Sequence, residues 1–149
     1  MGFAALITWS ATVMLGLYML TVWLIEHDAT GRGADASHLP TPVVFSHLGL
    51  ALVGLTVWVV YLLTDRQELA WVAVGVLSVI ALLGVLMFAR WIPVHRGPDE
   101  PPSYAPFPRE PVAAPPEGNF PVAVVTCHGL LAVTTYLLVL LTALAIGGS

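Results

Sequence analysis

Histidine is the residue type with the most chemistry to offer in this sequence: there are five, His27, His38, His47, His95 and His128, beside a single cysteine. One cysteine excludes an intrachain disulfide and any metal cluster built from thiolates alone. Four of the histidines fall in patterns that occur twice. Leu15-Gly16 through Met19 and Trp23 to His27, and Leu83-Gly84 through Met87 and Trp91 to His95, both read LGxxMxxxWxxxH. Residues 40–51 and 121–132 both read PxxVVxxHxxLA, with His47 and His128 at the same place. Matching Leu or Val means little in apolar segments, whereas matching Trp, Met, Pro and two His at fixed spacing marks an internal repeat. Paired imidazoles serve three kinds of chemistry: axial ligation of a haem, a Zn or Cu site, or a polar clamp without a cofactor.

The surroundings of these histidines are set by composition. The chain has 149 residues, 58% hydrophobic and 9% charged, with a mean hydropathy of +0.88. A soluble domain carries about 25% charged residues, so a soluble globular protein, a disordered chain and a nucleic-acid binder are excluded. Five Arg, no Lys and nine acidic residues give a net charge of −4 and no basic patch. The Lys-free, Ala- and Gly-rich composition suggests a bacterial genome of high GC content.

Four segments are long and apolar enough to cross about 30 Å of hydrocarbon, which needs roughly 20 helical residues: 3–25, 43–64, 69–89 and 120–146. The first lacks a basic leading region and a small-residue cleavage site, so it reads as a retained span rather than a signal peptide. The expectation is an all-α integral membrane protein of the bacterial cytoplasmic membrane, one domain over 1–149. Its four transmembrane helices form an up-down bundle built as a tandem αα-hairpin, with repeat one at 3–64 and repeat two at 69–146. Residues 65–68 can only reverse the chain. The Gly- and Asp-rich 26–42 and the Pro-rich 93–119 read as polar, non-helical loops on the opposite face. All five histidines then lie at or near that face, and its Arg32, Arg90, Arg96 and Arg109 against Arg66 opposite favour a cytoplasmic orientation for it.

Gly16, Met19, Trp23 and His27 share one helical stripe, as do Val43, Val44, His47, Leu50 and Ala51. His47 and His128 follow Pro40 and Pro121 by seven residues, about 10 Å along the axis at 1.5 Å per residue, and so lie inside the membrane, where an ionisable side chain marks a functional site. His27 and His95, one turn beyond Trp23 and Trp91, belong to the headgroup zone with those interfacial tryptophans, and are secondary metal candidates. In a four-helix bundle spans two and four are diagonal. Two inward imidazoles at one level could take both axial positions of a haem b, with Gly49, Ala51, Gly54, Gly129 and Ala132 offering small surfaces and Arg90 and Arg96 pairing with propionates.

This plan resembles the four-helix transmembrane b-type cytochromes, including the cytochrome b561-like group, over all four spans and by architecture and histidine placement. The resemblance implies a small haem protein transferring electrons to or from quinone, or as a subunit of a respiratory-type complex. The chain departs from the two-haem members in carrying no His toward the face opposite, which implies haem at one side only.

Other readings stand beside it. His47 and His128 could bond to Ser46, Thr126 or a carbonyl in a cofactor-free accessory subunit, or the four repeated His could hold Zn or Cu. His38 has no counterpart and reads as a loop residue. Cys127 points about 100° away from His128 and reads as a small buried residue. No Ser-His-Asp set, phosphate loop or carboxylate-bridged di-metal motif is present, so any redox chemistry requires lipid-soluble or protein partners, a larger membrane complex or a homo-oligomer.

Overall fold

A computed structural model describes residues 1–29, 37–96 and 115–145, with the backbone alone for 27–29. Its helices are α1 (Gly2–Ala29), α2 (Thr41–Thr64), α3 (Gln67–Arg96) and α4 (Val122–Ala143), with a short 3₁₀ turn at Pro116–Asn119. All four are long and apolar enough to cross a membrane. The protein is an all-α integral membrane fold.

α2 and α4 start in the same way. Pro40 and Pro121 occupy the N-cap positions in extended conformation, and each carbonyl accepts the first-turn N–H groups of the two valines that follow, Val43 and Val44 at 2.9 and 3.2 Å, Val124 and Val125 at 2.9 and 3.1 Å. Proline suits this place because its missing N–H would have no helical partner there. At the other end of α2, Asp65 adopts the left-handed region (φ 52°) and its N–H closes on the Tyr61 carbonyl at 2.8 Å. The chain then reverses directly into α3.

α1 packs mainly on α4, and α2 on α3, with lesser contacts between α1 and α2 and between α3 and α4. α2 and α4 therefore stand on one diagonal and α1 and α3 on the other. Two apolar clusters fill the bundle. The larger contains Trp9, Trp58, Tyr61, Leu77, Ile80 and Val139 toward the short turn, and the smaller contains Trp23, Leu39 and Val44 under the loops. Polar bonds tie the helices where hydrocarbon offers no competing partner: Thr135 donates to Thr8 (2.9 Å), Trp58 Nε1 to the Gly2 carbonyl (3.1 Å), and the Ser78 and Tyr136 hydroxyls share a bond of 3.1 Å.

The position equivalent to Thr135 is Gly54, and the partner equivalent to Thr8 is Val76. A Cβ on Gly54 would lie 2.8 Å from Trp9 Cζ2 and 3.0 Å from Val76 Cγ1. One half thus uses a hydroxyl bond where the other uses direct backbone approach. Because the blocking atoms are an indole ring packed at 2% exposure and a stiff Val, Gly54→Ala is expected to destabilise the bundle by about 1–3 kcal/mol, read from its unfolding midpoint in detergent.

Several expectations need correction. α3 runs to Arg96 with Pro93 inside it, so the segment 93–119 is helical at its start and forms a 3₁₀ turn at its end; the rest of it lies outside the described residues. α1 extends to Ala29, and α4 ends at Ala143 rather than 146. Cys127 is exposed, since the helical step away from inward His128 turns it outward. Trp23 and Trp91 are buried at 2% and 7% exposure, and their indole N–H groups bond inward to Ser37 and to the Glu117 carbonyl.

Candidate functional site

His47 and His128 come from the diagonal helices and face one another across the bundle, ring centres 6.3 Å apart and planes inclined at 46°. Their common depth follows from the shared proline starts. Neither ring belongs to the two core clusters. Along α1 no residue is fully buried between Val13 and Trp23, and along α3 none between Ile80 and Trp91; at the level of this pair half-buried Gly16, Leu20, Gly84 and Met87 take their place.

Each ring rests on a glycine of a neighbouring helix. A Cβ on Gly16 would lie 3.2 Å from His128 Cε1, and one on Gly84 would lie 3.3 Å from His47 Cε1. These glycines belong to the repeated LGxxM motif, so the sequence signal existed, although the small residues singled out for close approach were others. Gly49 and Gly129 meet no atom within 4 Å, lying about 200° and about 100° of helix away from His47 and His128 respectively. Gly54 packs on Trp9 in the larger cluster, where Ala51 is also buried.

His128 Nδ1 is 3.0 Å from the Thr12 carbonyl, one turn before Gly16. The carbonyl can only accept, so Nδ1 carries the proton and Nε2 keeps its lone pair. Ile80 stands in the equivalent place for His47 and its carbonyl acts on that ring, but His47 Nδ1 is buried without a hydrogen bond. Ser46 and Thr126 supply no partner to either ring.

The other candidates lie elsewhere. His95 is exposed and stacks on Trp91 at 4.9 Å and 13°. The side chain of His27 lies outside the described residues. Arg90 donates to the His38 carbonyl at 3.2 Å, and Arg96 is exposed at the end of α3. Among the described residues no three of His, Cys, Asp and Glu gather as a metal cage.

A second polar centre, absent from the sequence reading, lies under the loops. Glu117, in the 3₁₀ turn, is fully buried. It accepts hydrogen bonds from the Ser37 hydroxyl (3.0 Å) and the His38 backbone N–H, and its Oε1 is 3.4 Å from His38 Nδ1. Trp23 Nε1 donates to Ser37 Oγ (3.2 Å) and Trp91 Nε1 to the Glu117 carbonyl (3.1 Å). The paired tryptophans thus hold both loops onto the bundle, and His38 joins them. One acid in a Pro-rich loop carries no sequence signal that separates it from a solvated charge.

Comparison with known protein families, curated proteins and solved structures finds no match.

Proposed function

We propose that this chain is a small membrane haem b protein that transfers electrons, with His47 and His128 as the axial ligands of one haem. The observation that carries the reading is the facing pair itself, at one depth inside the bundle. Two imidazoles that bind one metal ion from opposite sides at about 2.0–2.1 Å each have ring centres roughly 6 Å apart, and these stand at 6.3 Å. The donor set also fits: the Thr12 carbonyl orients the His128 ring and leaves Nε2 as the ligand nitrogen, the usual outer-shell arrangement for a ligating histidine. A haem so held supplies one-electron chemistry. The chain supplies the rings, the two glycine seats, and at the same end of the bundle Arg96 and the remaining donors of Arg90 for carboxylate side arms.

With loops this short, the electron partner is a quinone or another subunit of a respiratory-type complex, or a second copy of the chain. The Lys-free, Ala- and Gly-rich composition suggests a bacterial cytoplasmic membrane, and the Arg distribution favours the histidine end as cytoplasmic. The His128–Thr12 bond also supports the rival reading, a cofactor-free accessory subunit with a structural clamp. A Zn or Cu site is left with two facing imidazoles.

The absorption spectrum of the purified full chain decides. A Soret band with sharp low-spin α and β bands on reduction, at about one haem per chain, is the expected result. A colourless protein overturns the reading, and metal analysis then separates the clamp from Zn or Cu.

A further inference from the structure

α3 is 30 residues long, about 45 Å at 1.5 Å per residue, against roughly 30 Å of hydrocarbon. It overshoots the bilayer core at its loop end, and two counts put the boundary at Arg90. About 20 residues of rise from Leu69, where the apolar run begins, reach Ala89. Thr41 and Arg90 are equally far, in residues, from the ends of α2 and α3 that meet at the short turn, so Arg90 stands level with the start of α2. The side chain is exposed there. Its Nη1 donates to the His38 carbonyl at 3.2 Å, and His38 is held in turn through its backbone N–H by the buried Glu117 carboxylate. The remaining N–H donors of the guanidinium meet no hydrogen-bond or ion-pair partner among the described residues, Glu117 being taken by Ser37 and His38. Arg90 also borders a hollow of about 300 Å³, completed by His38, Ala89 and Pro93. Four and seven residues back from Ala89, on the same side of α3, Val85 and Leu82 are 67% and 72% exposed. They make an apolar track from the hollow into the hydrocarbon.

We infer that this hollow binds the headgroup of an acidic phospholipid, with its phosphodiester on Arg90 and one acyl chain along Val85 and Leu82. A guanidinium anchored through one nitrogen presents its other donors as a planar fork, which fits two phosphate oxygens. The depth and the apolar track select an amphiphile over a soluble anion, and the uncompensated cation selects a net negative headgroup over a zwitterionic one. With no Lys and a net charge of −4, the chain as a whole offers acidic lipid no general attraction, so the preference rests on this one position. The inference stands apart from the haem reading, whose carboxylate arms would draw on Arg96 while the lipid is bound.

The test is native mass spectrometry of the full chain in detergent micelles carrying equal amounts of dioleoyl phosphatidylglycerol, dioleoyl phosphatidylcholine and dioleoylglycerol. The first lipid retained is expected to be phosphatidylglycerol, about fivefold tighter than phosphatidylcholine, with dioleoylglycerol weaker still. Arg90→Gln should bring the two phospholipids to equal affinity. Arg90→Lys, which keeps the charge and loses the fork, should fall between this and the parent, and Arg66→Gln at the opposite end of the bundle should bind as the parent does. Equal retention of the three lipids by the parent overturns the inference, as does a preference that survives Arg90→Gln or that Arg66→Gln removes equally. Displacement of the lipid by millimolar glycerol 3-phosphate also overturns it, assigning the hollow to a soluble phosphate.

Discussion

His47→Ala and His128→Ala are each expected to abolish the low-spin haem spectrum. The two rings face one another from opposite helices at 6.3 Å; on the proposed reading both would be needed to hold a haem in the low-spin state, and the loss of either would end it. The effect should be as complete in each single variant as in the double, because residues acting as one unit are not additive. His38→Ala and His95→Ala should leave the spectrum unchanged, since His38 is held at Glu117 and His95 lies on Trp91. Adding free imidazole to either Ala variant should restore part of the low-spin signal by filling the vacated volume. Loss of haem on replacing His27 or His95, with the deeper pair indifferent, would move the site to the interface and refute this assignment.

The second large effect concerns stability. Glu117→Ala removes a fully buried carboxylate on which the Ser37 hydroxyl, the His38 N–H and the His38 ring converge. Those donors are then left without their acceptor beneath the loops, at a cost of about 2–4 kcal/mol. A lower melting temperature and faster proteolysis of both loops are expected, with Glu117→Gln milder because the amide keeps one acceptor oxygen and the side-chain volume. The tryptophan bond to Glu117 uses the backbone carbonyl and should persist in both variants. An unchanged melting temperature for Glu117→Ala would show that the loops are held by packing alone.

The helices and the site were not equally readable. Hydropathy marks spans because every lipid-facing position must be apolar, and the matching Pro, Trp and His positions put His47 and His128 at one depth without a structure. The end of α3 was missed because Pro93 reads as a terminator, yet a helix tolerates one lost bond when Val94, His95 and Arg96 can continue beyond it and Trp91 is anchored to the 3₁₀ turn. The seats of the rings were missed for a different reason. Which glycine meets a ring depends on which helices are neighbours, and the sequence does not say that α1 packs on α4 and α2 on α3. Glu117 was invisible because only the fold brings residues 37 and 117 together.

The pairing of helices has one more consequence. Gly16 belongs to the first half of the chain and supports His128 of the second, while Gly84 of the second supports His47 of the first. Neither half seats its own ring. A lone hairpin would carry a histidine with nothing to lean on and a glycine with nothing to receive, but two identical hairpins related by a dyad would complete each other, as self-complementary subunits do. In its architecture the protein is therefore a closed homodimer written as one polypeptide, with the turn at Asp65 joining partners that already need each other.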